Sequence, residues 1–141
     1  MKPKQIFILL GIVIIVSAII TKWSFDARDK KNMETYEVLS PAEFDDYYVK
    51  QVQEDPSIRG FKVFNNGEGR KKIVVLTLGD QVHGKMDIQS IKADKHKTKV
   101  TVKRTEKKAE EKNSMLIFQI NYVPGQIEIT DTEGNTYKEF K

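Results

Sequence analysis

The sequence has no cysteine, and only two histidines, one tryptophan and four prolines among 141 residues. Without a thiol there is no disulfide, no thiolate zinc site, no cysteine nucleophile and no residue to carry a lipoprotein anchor. Histidine, the side chain that titrates nearest neutrality, is almost as scarce. His83 falls in a glycine-flanked loop and His96 in a turn. A metal site would need both to converge with a carboxylate such as Asp80 or Asp94, and solvated turn histidines are the plainer expectation. Ser57, Ser90 and Ser114 sit in no nucleophile elbow. Asp45-Asp46 and Glu110-Glu111 read as exposed pairs, where two carboxylates do not acquire separate acid and base environments. Gly67-Glu68-Gly69-Arg70 precedes a strand rather than a helix N-terminus, so it reads as a hairpin turn and not a phosphate cradle. The expectation is a protein that is not an enzyme, with no catalytic residues, no metal and no cofactor.

A sustained excess of one charge is also missing. The net charge is +4, but Lys2, Lys4 and Lys22 stand without an acid in the first 25 residues, and the remaining 21 basic and 20 acidic side chains nearly cancel. That argues against nucleic acid as a partner, because phosphate contacts need many unpaired cations. The imbalance is local instead. Residues 26–58 hold 4 basic and 9 acidic side chains, residues 59–108 hold 14 and 5, and residues 109–141 hold 3 and 6.

The first feature positively present is apolar. From Ile6 to Ile20, twelve of fifteen residues are Ile, Leu, Val or Phe, enough to favour a bilayer by about 5 kcal/mol. Continued to Phe25, the segment reaches about 30 Å as a helix, the thickness of a hydrocarbon core, with Trp23 at the interface and Lys22 reaching outward. Val16-Ser17-Ala18 has the small residues of a signal-peptide cleavage site, but Ile19 and Ile20 follow it, so residues 1–25 read as an uncleaved anchor. Lysines flank the segment on both sides and do not fix its orientation. A short basic N-terminus before an apolar run is the usual export signal, which places the rest of the chain outside the cell membrane as a single-pass protein.

Residues 26–35 are polar and aperiodic and read as a juxtamembrane linker, leaving 36–141 as one extracytoplasmic domain. Ser40-Pro41-Ala42-Glu43 reads as a capped helix start, running to about Gln53 with Phe44, Tyr48 and Val52 inward, Asp45, Asp46 and Lys50 outward, and Pro56 as its stop. From Gly60 the apolar period changes to two. Strands are expected at 61–64, 73–78 (apolar on both faces, hence central), 86–93 (with a phase slip between Ile88 and Ile91 that signals a bulge), 97–105, 115–122, 126–130 and 136–140. The loop from Glu106 to Ser114, with six charges in nine residues, reads as solvated and mobile. The fold class is therefore an N-terminal transmembrane helix plus a β-rich α+β domain, with about seven mainly antiparallel strands in a sandwich or open roll and one short helix.

Lys95, Lys97, Lys99, Lys103, Lys107 and Lys108 fall largely on one strand and its ends. Two readings stand: an edge strand kept from aggregating by lysines, or a contact face for an anionic wall polymer, lipid head groups or an acidic protein surface.

The order of features between Ser40 and Phe140 resembles the C-terminal domain of the PrcB family, exported bacterial proteins named for a subunit of a surface protease complex. A short helix precedes Gly60-Phe61-Lys62-Val63-Phe64. Then come Leu78-Gly79-Asp80-Gln81, a glycine turn at His83-Gly84, Met86-Asp87-Ile88-Gln89-Ser90-Ile91, and a strand of Lys97-Thr98-Lys99-Val100-Thr101-Val102 type. The family's Thr-Gly-Gly-Tyr turn is reduced here to His83-Gly84-Lys85-Met86, and Ser114-Met115-Leu116 replaces its proline-tyrosine start to the next strand. The resemblance implies a non-catalytic accessory protein of the bacterial cell envelope that binds and stabilises a protein partner, by analogy a protease. It makes the turn formed by Gly79, Asp80, Gln81, His83, Gly84, Lys85 and Met86 a candidate contact surface.

Overall fold

The computed structural model describes residues 2–67, 69–79, 84–108 and 112–141. The chain divides into two compact units, residues 1–31 and 32–141. The first is helical: α1, Pro3–Glu34, is long and apolar enough to cross a membrane. Its apolar side chains, Ile6 through Phe25, are exposed, which suits lipid and not water. The segment read as a linker, 26–35, continues this helix to Glu34, because its Ala, Arg, Lys and Met residues are good helix formers and no Gly or Pro interrupts them.

The second unit is a β-sandwich with eight strands among the described residues. β1 (Tyr36–Leu39), β2 (Arg59–Asn65), β3 (Lys72–Leu78) and β6 (Met115–Ile120) form one antiparallel sheet in the order β1-β6-β3-β2. β4 (Gly84–Ala93), β5 (Lys97–Lys108), β7 (Gln126–Asp131) and β8 (Thr136–Tyr137) form the other, in the order β4-β5-β7-β8 with β5 and β7 parallel. Between the sheets lies the main core, in which Val74, Leu76, Leu78, Leu116, Phe118 and Ile120 meet Met86, Ile88, Val100, Val102, Ile127 and Ile129. Ile73, Val75 and Ile117 face the other way, against α2 (Tyr47–Glu54). β3 is thus apolar on both faces because both are covered, as its unbroken apolar run requires.

The expected helix start is displaced. The capping box does form, with the Ser40 N–H donating to Glu43 Oε2 at 2.6 Å and the Glu43 N–H to Ser40 Oγ at 3.3 Å. It closes only one turn, and α2 begins at Tyr47 with Asp46 as N-cap, its carboxylate accepting from the Tyr48 N–H at 2.8 Å. Two adjacent aspartates favour cap over helix interior. The break also turns Phe44 edge-on to Phe64, with ring centroids 5.2 Å apart. Tyr48 and Val52 face inward as expected, joined by Val49, while Phe44 packs against the same core from ahead of the helix.

The bulge expected in β4 is present, between Ile88 and Ser90, with a second register shift between Gly84 and Met86. Several other boundaries differ. β5 runs on to Lys108, and Asn113 and Ser114, assigned to a solvated loop, are buried. Asn113 has structural work there: its Oδ1 accepts from the Gly79 N–H at 2.9 Å, and its Nδ2 donates to the Asp55 and Ile58 carbonyls at 2.9 and 2.8 Å. The last strand keeps only two residues. Beyond it the chain crosses to the other sheet, where the Phe61 N–H donates to the Lys138 carbonyl at 2.8 Å and the Phe140 N–H to the Phe61 carbonyl at 2.7 Å.

The β7–β8 turn is built around Asp131, buried in spite of its charge. Its carboxylate accepts from the Glu133 and Asn135 N–H groups at 3.0 and 2.8 Å, from Asn135 Nδ2 at 2.9 Å and from the Tyr137 hydroxyl at 3.3 Å. Burial alone would raise its pKa, but the hydrogen bonds together outweigh that and hold it below the usual carboxylate value. A depressed folded-state pKa adds stability above the unfolded value of about 4, and that stability is lost as pH falls through the folded value. Urea midpoints should therefore fall with acidification below about pH 4. In Asp131→Asn, which sets an amide N–H₂ against Asn135 Nδ2, the protein should be weaker at neutral pH and its acid decline shallower.

Candidate functional site

β5 is an interior strand, flanked by β4 and β7. The edge-protection reading of its lysines is therefore overturned. An interior strand presents no free edge, so its charges serve the sheet's outer face. Thr98, Val100 and Val102 point into the core while Lys97, Lys99 and Lys103 point out. Lys95 lies in the turn before the strand, and Lys107 and Lys108 at its far end, all exposed.

The pairing around these lysines is uneven. Lys103 stands opposite Asp87, and Lys97 bonds Glu128 at 2.6 Å. Lys99 stands between Lys92 of β4 and Glu128 of β7, so a like charge on one side is countered by a carboxylate on the other. Lys92, Ala93, Asp94, Lys97 and Lys99 line a shallow cleft. Its one carboxylate, Asp94, is occupied by the His96 and Lys97 N–H groups at 2.7 and 2.9 Å, which hold its pKa below the usual value. Sequence reasoning missed Lys92. The phase slip between Ile88 and Ile91 carried the signal, because the bulge is what turns Lys92 outward.

The candidate contact turn is only partly within view. Asp80, Gln81 and His83 lie outside the described residues. Gly79 is buried, Gly84 is half-buried with its carbonyl accepting from Ser114 Oγ at 2.6 Å, and Lys85 is exposed. Met86, 3% exposed, belongs to the core and offers nothing to a partner.

A second cleft joins the two sheets at the C-terminal end, lined by Arg59, Asn135, Thr136, Tyr137 and Lys138. The Arg59 guanidinium lies over the Tyr137 ring, 5.2 Å from its centroid. Burial, and then the Asp131 charge, push the Tyr137 pKa up. This arrangement fastens β2 to β8.

The free edges were also missed. Tyr36 and Val38 of β1 are 41% and 54% exposed, and nothing in four residues of sequence marked them as a strand. Among the described residues no three His, Asp or Glu side chains gather as a metal site.

No family model matches the chain and no solved structure matches it. The chain is similar to an uncharacterized protein, YycS, of Bacillus subtilis (strain 168), with 27% identity over 93 residues that make up 65% of this chain and 68% of that protein.

Proposed function

We propose that this is a non-catalytic accessory protein of the bacterial cell envelope. Its β-sandwich, held on the outer side of the cell membrane by α1, binds and stabilises another envelope protein. The observation that carries this reading is the continuity of the anchor with the domain: a single residue, Thr35, separates α1 from β1. Even fully extended, the ten residues between Phe25 and Tyr36 reach no more than about 35 Å, so the domain meets partners that share its membrane. The resemblance to the PrcB family supports a protease as that partner.

A second reading has its own support. The outer face of the second sheet, with Lys99 opposite Lys92, suits an anionic wall polymer or lipid head groups.

Crosslinking in intact cells, purification through a tag after Lys141 and mass spectrometry separate the two. The first reading expects one envelope protein at near one-to-one, retained through a wash at about 0.5 M salt, where charge attraction between exposed groups is screened. Recovery of no stoichiometric protein overturns it. If the chain is instead held on envelopes only at low salt, and is released by Lys97→Glu, Lys99→Glu and Lys103→Glu, the lysine face is the functional surface.

A further inference from the structure

The sandwich has four sheet edges, and three carry devices against unwanted pairing. β2 has its outward-facing Phe61 backbone taken by Lys138 and Phe140. β4 has two register shifts and exposed Lys85 and Lys92. β8 is two residues long. Bulges, lysines, short strands and covering segments are how sheets blunt their edges. β1, four residues reading Tyr-Glu-Val-Leu, carries no bulge, no lysine and no covering segment among the described residues.

Its hydrogen-bond phase can be read from the ladder. The Asn121 N–H donates to the Thr35 carbonyl at 3.2 Å, and the register sets Tyr36 opposite Ile120, Glu37 opposite Gln119 and Val38 opposite Phe118. Bonded pairs alternate in an antiparallel ladder. Thr35, Glu37 and Leu39 therefore bond β6, and Tyr36 and Val38 turn their N–H and C=O groups to the open side. The same two residues place their side chains on the core face of the sheet, opposite Ile120 and Phe118, yet remain substantially exposed. Among the described residues, backbone donors, backbone acceptors and apolar side chains are thus all left without a partner along this edge.

We propose that β1 is the docking edge for the partner inferred above, which contributes an extended segment as an antiparallel fifth strand beyond β1. Such addition draws affinity from main-chain bonds and specificity from alternate side chains. The segment's chemistry follows from the pattern it must match. Two apolar residues lie beside Tyr36 and Val38, and between them a lysine or arginine stands opposite Glu37, since opposite charges across a strand pair attract. This rests on the accessory reading, and the test separates the two.

The full-length chain is crosslinked and purified as above with three variants. Val38→Pro removes one outward N–H without removing a bond to β6, because edge strands tolerate proline where the N–H faces solvent. Glu37→Lys reverses the charge preference at an exposed site, and so keeps the test valid if the proline variant unfolds. Val38→Cys introduces a unique thiol for a short photo-crosslinker, the chain having no cysteine of its own. Expected are a loss of partner recovery of roughly tenfold for Val38→Pro and several-fold for Glu37→Lys, with crosslinks from position 38 to an apolar-basic-apolar segment. Undiminished recovery with both substitutions overturns the β1 proposal and leaves the accessory reading standing. Crosslinks from position 38 to a second copy of this chain overturn the proposed occupant. Absence of any partner for the unmodified protein overturns the accessory reading itself.

Discussion

Gly125→Ala is expected to cost about 3–5 kcal/mol of stability, although Gly125 is exposed and sits in an unremarkable turn. A Cβ there would overlap the His96 carbonyl group and lie 2.9 Å from its Cα. All three atoms are backbone, so no side-chain rotation relieves the clash. The close approach exists because β5 and β7 start side by side: Lys97 is opposite Gln126, and the Gln126 N–H donates to the His96 carbonyl at 3.1 Å. Relief would require moving the β4–β5 turn away from β7, losing that bond and loosening the parallel pair. Overpacking of this kind costs about 1–3 kcal/mol and the bond about 1 more, with further loss if Ile127 is drawn from the core. At about 4–8 °C per kcal/mol for a domain of this size, the melting temperature should fall by roughly 12–40 °C. Gly134→Ala is the control. Its φ of +89° disfavours a side chain, but nothing lies within 4 Å of the added carbon, and the cost should stay near 1–2 kcal/mol. Equal effects of the two substitutions in thermal unfolding of the detergent-solubilised chain would show that backbone conformation, not the approach to His96, governs the site.

Asn113→Ala should cost about 3–4 kcal/mol, as it leaves the Gly79 N–H and the Ile58 carbonyl without their partner and the Asp55 carbonyl with only the Ile58 N–H. The side chain ties the end of α2, the start of β2 and the end of β3 together, so urea unfolding should register the loss in the whole domain. Asn113→Asp gives the sharper test. It keeps an acceptor for Gly79 but turns a carboxylate on two carbonyls, in a residue with no exposed surface. Both effects raise the folded-state pKa of the introduced acid. A raised pKa contributes stability below the unfolded value and loses it as pH rises through the folded one. The variant should therefore gain stability on acidification from pH 7 towards pH 4, a range over which the depressed Asp131 of the unmodified protein costs nothing, its loss coming only below about pH 4. A variant that follows the unmodified pH profile would mean that the amide donors at 113 carry little of the energy.

What the sequence made legible was whatever depends on near neighbours. The long apolar helix, the apolar run 73–78, the alternation around Val100 and Val102 and the bulge after Ile88 are all local signals, and the structure contains each of them. The capping box at Ser40 was legible in the same way and its hydrogen bonds form. What failed was the inference from cap to helix, because Asp46 competes as a better N-cap six residues on and the Phe44–Phe64 contact lies outside any local window. Strand order was beyond reach for a related reason. Lysines on an edge strand and lysines on an interior strand have the same alternation, and only the placement of β7 beside β5 distinguishes them. Asn113 looked like loop because its partners, Asp55, Ile58 and Gly79, lie at least 34 residues away in sequence.

The pairing of the first strand with the sixth sets a timetable. β1 is made directly after α1, but its ladder partner β6 follows only after the 75 residues between Leu39 and Met115. At about 5–20 residues per second, synthesis alone leaves β1 unpaired for several seconds. For that interval the strand adjoining α1 is open on both sides, and any chaperone or newly made chain segment nearby has a kinetic advantage over β6. The strand made first is thus among the last to be ordered, and a chain truncated before Met115 would carry β1 with no ladder partner.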